Sequence, residues 1–259
     1  MKVPSNRKIK TEHPRLVRLF AVLFWLLVWQ AAAMILNRPL LLSSPLRVAE
    51  RLFALLGEGD FYRALGFSLR RIALGFALGL LCGTLLAVLA ARIPLLEVLL
   101  RPLMATVKSV PVASFIILAL LWLSARQLSA FISFLMVLPI LYSGVLSGLQ
   151  STPGEMLELA RVYRMSPLRR LLYIHLPHLK SHLFSALTLA LGMSWKAGVA
   201  AEVIGIPSGS IGEQLYQSKV YFDLTSLYAW TVAIVCISVL LEKAVLLLVR
   251  RLYERLERI

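Results

Sequence analysis

Six long apolar stretches, separated by short polar and basic segments, dominate the chain. Each is close to the roughly 20 residues that an α-helix needs to cross the hydrocarbon core of a bilayer. The stretches cover residues 17–37, 67–91, 103–124, 127–150, 183–204 and 225–249. The pattern therefore predicts an all-α integral membrane protein with six transmembrane helices.

The polar segments predict how these spans are oriented. Lys and Arg cluster in the tail 1–16, the loop 151–182 and the tail 250–259, and such clusters mark the cytoplasmic side of a membrane protein. We therefore expect both termini and this loop to be cytoplasmic, and residues 17–249 to form the transmembrane domain. Residues 45–66 place apolar side chains opposite charged ones, which predicts an amphipathic helix in the membrane interface.

The composition agrees with a membrane protein and excludes other classes. Hydrophobic residues make up 59% of the chain, above the roughly 45–50% of a soluble domain. The net charge of +15 lies in short clusters beside apolar runs, where contact with anionic lipid explains it. We therefore expect membrane lipid, and no nucleic acid, as a partner. Cys82 and Cys236 both lie inside apolar runs, which predicts packing residues rather than a disulfide or a zinc site.

A row of small residues in the second span predicts a close helix contact. Gly75, Gly79 and Gly83 recur at four-residue spacing, so they share one helix face and let a neighbouring backbone approach. The spacing fits tight packing within the bundle, and it also fits a sliding contact between subunits.

Polar residues inside the third and fifth spans are candidates for a transport pathway. A proline within the third span frees a backbone carbonyl, which is tolerated in a membrane only where protein or a water-lined cavity satisfies it. Lys196 lies roughly 20 Å along the fifth span, too deep to reach the cytoplasmic interface. The alternatives are a structural kink and a structural ion pair with another helix. The candidates are Lys108, Ser109, Pro111, Trp195, Lys196 and Glu202.

The chain shows no catalytic constellation of its own. His175, His178 and His182 fall at spacings that share a helix face, but Pro177 interrupts that helix and no carboxylate or cysteine accompanies them. We therefore expect neither a metal site nor an enzyme. A membrane-embedded enzyme acting on lipid would have to use these histidines, and an energy-independent channel or carrier is a further alternative.

The loop 151–182 contains a helix-forming basic segment that resembles the EAA loop in the permease subunits of ATP-binding-cassette importers. Glu158-Leu-Ala160 matches the first and third positions of the Glu-Ala-Ala pattern, and Ile174-His-Leu-Pro177 matches its apolar-x-Leu-Pro close. The family glycine falls on Arg164, so we expect Met165-Ser-Pro167 to form the bend. The segments Trp195–Gly205 and Gly209–Gly212 resemble the nitrate, sulfonate and taurine branch.

This resemblance implies a type I ABC importer permease (MetI-like) fold with a cytoplasmic coupling helix. It implies a permease homodimer in a bacterial inner membrane, two cytoplasmic ATPase copies that hold ATP and Mg, and an extracytoplasmic substrate-binding protein. The implied solute is small and anionic or heterocyclic, such as a sulfonate, nitrate or taurine, with a thiamine-precursor pyrimidine as the alternative. The residues implied to couple to the ATPase are Glu158, Ala160, Arg161, Arg164, Met165, Ser166, Pro167, Leu168 and Pro177.

Overall fold

The computed structural model describes residues 14–36 and 41–256, and the regular secondary structure there is entirely helical. A π-helical turn, Leu171–His175, joins the eighth and ninth helices. The helices are α1 (Pro14–Leu36), α2 (Pro45–Leu56), α3 (Gly59–Arg92), α4 (Pro94–Ser109), α5 (Val112–Ala119), α6 (Ala125–Gln150), α7 (Gly154–Val162), α8 (Pro167–Arg170), α9 (Leu176–Gly205), α10 (Ile211–Val220) and α11 (Leu224–Leu256).

The six predicted spans are present, and one of them is broken. Helices α1, α3, α6, α9 and α11 are each long and apolar enough to cross a membrane, and α4 with α5 forms a sixth candidate bent by 99°. The bend falls at Val110 and Pro111, where Val110 takes an extended conformation. Proline lacks the N–H that a continuous helix needs there, so the third span is two helices rather than one.

The predicted interfacial helix 45–66 is too long by about ten residues. Helix α2 begins after Ser44, whose side chain accepts from the N–H of Arg47, and it ends at Gly57. Glu58 is extended and α3 starts at Gly59, so residues 59–66 form the first turns of the second span. The Arg51 side chain donates to Ser226 Oγ at 2.9 Å, which ties α2 to α11.

Helices α3, α6 and α9 form the centre of the bundle, and the glycine row of α3 lies against α6. A Cβ atom added to Gly75 would lie 2.1 Å from the carbonyl oxygen of Ala130, and one added to Gly79 would lie 2.7 Å from Val137 Cβ. At Gly83 the nearest atom would be the carbonyl oxygen of Leu138, at 2.8 Å. The small residues therefore allow a close contact between two helices of the same chain.

The described parts of the two predicted tails belong to helices α1 and α11. Residues 1–13 of the expected tail 1–16 and residues 257–259 of the expected tail 250–259 lie outside the described residues. The described part of the second tail continues α11 to Leu256, and Tyr253 is buried in it. We use the names α7 end and α10 end for the opposite ends of α9, next to α7 and to α10 respectively.

Candidate functional site

A cavity of about 770 Å³ opens between the α4–α5 break, α6 and the first half of α9; we call it the central cavity. Its wall is mostly apolar, with a row of hydroxyl groups and no Asp or Glu among the described residues that line it. A mostly apolar pocket with a few converging polar groups is the usual form of a small-molecule site. The polar lining residues are Lys108, Ser143, Ser147, Ser181, His182 and Ser185.

Lys108 is the fixed positive charge of this cavity. It stands in the last turn of α4, just before the bend, and its Nζ donates to Ser143 Oγ at 2.7 Å. Ser143 Oγ in turn donates to the carbonyl oxygen of Pro139 at 2.8 Å. These two hydrogen bonds orient the Lys108 side chain. Because an ammonium group has three donors, other donors of Lys108 remain available to the cavity.

The neighbouring pathway candidates, Ser109 and Pro111, form hydrogen bonds at the helix ends on either side of the α4–α5 break. Ser109 Oγ donates to the carbonyl oxygen of Thr106 at 3.0 Å, within the same helix. The carbonyl oxygen of Pro111 accepts from the N–H of Ser114 at 3.0 Å in the first turn of α5. Ser109 and Pro111 therefore stabilise the two helix ends at the break, while Val110 and Val112 line the cavity.

An exposed polar stripe continues the cavity along α9. Ser181, Ser185, Thr188 and Lys196 are exposed, and together with the half-buried Gly192 they recur at spacings that share one helix face. Lys196 lies about 16 Å along the helix from Ser185, at 1.5 Å per residue. Its side chain is exposed, and it makes no hydrogen bond or ion pair with any residue in 14–36 or 41–256. Lys108 thus lines the central cavity, and Lys196 lies farther along the α9 face that carries the lining residues Ser181 and Ser185.

Trp195 and Glu202 do not line the central cavity, although both were pathway candidates. The indole N–H of Trp195 donates to the carbonyl oxygen of Ile234 at 3.1 Å, in the packed contact between α9 and α11. Glu202 is fully buried, and its Oε2 accepts from Ser68 Oγ at 2.5 Å. The six-residue interval between Lys196 and Glu202 places them on different faces of α9, so they form no ion pair with each other.

Glu202 instead joins three helices at the α10 end. The Ser68 hydroxyl that donates to it also accepts from the N–H of Ile211 at 3.0 Å, which links α3, α9 and the start of α10. A Cβ on Gly212 would lie 2.3 Å from the carbonyl carbon of Glu202, so α10 contacts α9 at backbone distance. Within the described residues, Glu202 Oε1 and Ser129 Oγ are buried without hydrogen-bond partners.

We expect Glu202→Gln to preserve this junction and Glu202→Leu to weaken it. A glutamine oxygen can still accept from Ser68, and its NH₂ group can donate to Ser129. Leucine leaves the Ser68 hydroxyl without its acceptor, at a cost of about 1–3 kcal/mol. Thermal unfolding of the purified protein measures the difference. Equal unfolding temperatures for the two variants would contradict the role of this hydrogen bond.

At the α7 end, the predicted coupling segment is a short helix that ends in a tight turn. The N–H of Met165 donates to the carbonyl oxygen of Ala160, and that of Arg164 to the carbonyl oxygen of Arg161, both at 3.0 Å. Arg164 has a φ of 48°. This is a Schellman motif, in which glycine usually takes the left-handed position because a side chain there costs about 1–2 kcal/mol. The helix breaks where predicted, but the residue that reverses the chain is Arg164, one position before the predicted bend.

The exposed face of α7 differs in part from the predicted contact residues. Ala160 is buried and Met165 is half-buried, whereas Glu158, Arg161, Arg164 and Ser166 are exposed. A row of apolar side chains, missed in the sequence, lies exposed beside them. It consists of Met156, Leu159, Val162 and Tyr163. Their spacing of three, three and one residues is the signal that could have revealed one helix face.

The segment after this turn runs directly into α9. Pro177 is exposed and occupies the first turn of α9, and the π-helical turn precedes it. A wider turn before a proline removes the clash of its ring with the preceding carbonyl, so Pro177 does not interrupt the helix as expected. His175 Nδ1 lies 3.3 Å from Thr152 Oγ1, and His178 Nε2 lies 3.4 Å from Met156 Sδ. These histidines thus hold α9 to α7 and the preceding turn.

Known proteins with similar sequences are named as permease proteins of transport systems. The chain is 30% identical over 209 residues to the bicarbonate transport system permease protein CmpB of Synechococcus elongatus, covering 76% of this chain and 74% of that protein. It is 26% identical over 230 residues to the taurine transport system permease protein TauC of Escherichia coli, covering 86% and 83%. The nitrate import permease protein NrtB of a Synechocystis strain is 25% identical over 224 residues, covering 82% and 81%.

The family match covers most of the chain. Residues 75–258 match the model described as the binding-protein-dependent transport system inner membrane component. This range contains the central cavity, Lys108, Lys196 and the whole of α7. With its six candidate spans, the chain is a multi-pass membrane protein, and it belongs to the family of binding-protein-dependent transport system inner membrane components.

Proposed function

We propose that this chain is the permease subunit of an ATP-driven importer of a small anion, and that the anion crosses the membrane through the central cavity. The observations that carry the proposal are one lysine in the wall of that cavity and a second, exposed lysine farther along the α9 face that continues from it. Lys108 lies on its wall and Lys196 on the same exposed stripe of α9, and no carboxylate lines the cavity within the described residues. An ionisable side chain inside a span marks a solute pathway far more often than a lipid contact.

The geometry of the third span supports an anionic solute. The break at Val110 and Pro111 exposes the first turn of α5 next to the cavity, with Val112 in the wall. The N-terminus of a helix carries a partial positive charge and free N–H groups. Broken membrane helices use such ends to bind anionic solutes. The relatives named for bicarbonate, nitrate and taurine carry solutes with an anionic oxygen group, whereas a neutral pyrimidine would not need either lysine.

The polar stripe of α9 supports a second copy of this chain as the partner that covers it. Ser181, Ser185, Thr188 and Lys196 are exposed on a helix long enough to cross the membrane, and hydroxyl and ammonium groups are poor partners for lipid tails. Two copies that face each other across this stripe would enclose one aqueous pathway. The substrate-binding protein would deliver the anion at the α10 end.

The partner at the α7 end is the cytoplasmic ATPase, in two copies for two permeases. Helix α7 lies outside the spans and exposes Leu159, Val162 and Tyr163 beside Arg161 and Arg164. An apolar row bordered by arginines is the composition of a protein-binding surface rather than of a solvated face. This assignment puts both termini and the α7 end in the cytoplasm of a bacterium and leaves ATP and Mg on the ATPase.

Replacing Val162 by aspartate tests this function. The change puts a charge in the centre of the α7 row, so we expect the ATPase to be lost from the purified complex and anion-stimulated ATP hydrolysis to fall at least tenfold. A desolvated charge in an interface costs several kcal/mol. The measurements are co-purification and ATP turnover with nitrate, bicarbonate or taurine, each with its binding protein.

The matched control is Leu252→Asp, which changes an exposed apolar residue of α11 outside α7. We expect this variant to keep the ATPase. If Val162→Asp and Leu252→Asp behave alike, α7 is not the coupling element. If a pyrimidine stimulates turnover and none of the three anions does, the anionic assignment is wrong while the importer assignment stands.

A further inference from the structure

A second pocket, of about 400 Å³, lies on the outer face of α3 near the α10 end. Its wall consists of Gly66, Phe67, Arg70, Arg71 and Leu74, which we call the α3 arginine pocket. None of these residues lines the central cavity. A Cβ added to Gly66 would meet no atom within 4 Å, so the pocket floor at this residue is open space. The α3 arginine pocket is therefore separate from the central cavity.

The two arginines of the pocket are arranged differently. The guanidinium carbon of Arg71 lies 4.4 Å from the centre of the Phe67 ring, and its Nη1 donates to the carbonyl oxygen of Arg126. A guanidinium has five N–H donors, so several remain. Arg70 is exposed and makes no hydrogen bond or ion pair with any described residue. One arginine is thus held in place and the other is available to a ligand.

The surroundings favour a ligand with an anionic head and aliphatic tails. Leu74, Leu78, Leu81 and Leu85 continue from the pocket along one exposed face of α3, and these spacings keep them on one side of the helix. Glu202 lies within electrostatic range of Arg71, but its carboxylate is fully buried and accepts from Ser68. No carboxylate among the described residues lines the pocket itself.

We propose that the α3 arginine pocket binds the headgroup phosphate of an anionic phospholipid, with the acyl chains lying along the leucine row. Arg70 supplies the free charge-assisted donors and Arg71 a preoriented second cation. The apolar row starts directly below the cations, which matches the order of phosphate and acyl chain in a lipid. This explains why two arginines stand at the α10 end, against the usual distribution of basic residues in a protein of the proposed orientation.

The test measures lipid binding by the full chain in nanodiscs. Native mass spectrometry counts retained phosphatidylglycerol, and thermal unfolding is compared in phosphatidylcholine with and without phosphatidylglycerol. We expect Arg70→Gln to weaken phosphatidylglycerol binding about fivefold, the value of one basic side chain near an anionic membrane. Gly66→Leu, which fills the pocket and removes no charge, should have the same effect.

The control is Arg63→Gln, because Arg63 lies on the same helix, is paired with Asp60 and does not line the pocket. We expect it to bind phosphatidylglycerol as the unmodified chain does. Equal losses for Arg63→Gln and Arg70→Gln would overturn the proposal, because they would reflect overall charge. Equal protection by soluble glycerol phosphate would reassign the pocket to a free anion. Disulfide crosslinking of Leu78→Cys between two copies would show that protein, not lipid, covers the leucine row.

Discussion

We expect uptake of a small anion by the proposed importer, reconstituted with an ATPase and a binding protein, to fall about 10- to 100-fold when Lys108 is replaced by methionine. The range follows from the loss of one charge-assisted hydrogen bond, worth about 1.5–3 kcal/mol. Methionine keeps the length and most of the volume of the side chain, so it preserves the packing around Met136 and Ser143 in the cavity wall. The measurement is uptake of labelled nitrate, bicarbonate or taurine into proteoliposomes.

The position of Lys108 makes this effect specific. The hydrogen bond that Lys108 donates to Ser143 holds its ammonium group at the α4–α5 break. Because arginine keeps the positive charge and can also donate to Ser143, Lys108→Arg should retain part of the uptake. Lys243→Met is the matched control, because Lys243 is exposed on α11 and does not line the cavity. Unchanged uptake in Lys108→Met, with a normally folded complex, would mean that the anion does not pass this lysine.

The second large effect concerns folding rather than transport: we expect Gly75→Val to destabilise the bundle by about 1–3 kcal/mol. A Cβ at this position would lie 2.1 Å from the carbonyl oxygen of Ala130 and 2.9 Å from Ser133 Cβ. The contact is to backbone, so side-chain rotation cannot relieve it and α3 must move away from α6. Fluorescence-detected size exclusion and thermal unfolding of the detergent-solubilised protein measure the loss.

The same helix offers its own control. Gly66 also lies in the interior of α3, but a Cβ atom added there would meet no atom within 4 Å. We therefore expect Gly66→Ala to be neutral, or stabilising by up to about 1 kcal/mol because alanine is the better helix former. Similar losses for Gly75→Val and Gly66→Ala would show that the helix tolerates no change at its glycines for reasons other than the α6 contact.

Local sequence determined the number of candidate spans, but it placed both ends within three residues only for α1 and α6. Apolar length sets whether a helix can cross the hydrocarbon core, and it depends on neighbouring residues alone, so α1, α6, α9 and α11 could be predicted. The same reasoning placed the polar helix α7 between two spans. Its limits appear where one residue changes the backbone: Gly57 ends α2 earlier than the amphipathic pattern suggests, and Pro111 divides the third span.

Turn geometry could be predicted only in part. The Ser166-Pro167 pair signalled a break after α7, because a residue before proline avoids the helical conformation. It did not show that Arg164 would take the left-handed position with a φ of 48°. That outcome depends on the two hydrogen bonds that close the Schellman turn onto Ala160 and Arg161, which offset the cost of a side chain there.

The sequence by itself determined that this protein spans the membrane, where the polar helix α7 lies and which polar residues interrupt the apolar spans. Only the tertiary structure decided which of those residues meet. Lys196 and Glu202 are six residues apart on one helix, yet Lys196 is exposed and Glu202 is buried against Ser68. The physical reason is that packing fixes the rotation of each helix about its own axis. The glycine row of α3 lies directly against α6, and α9 packs beside both helices. This packing decides which face of α9 remains exposed.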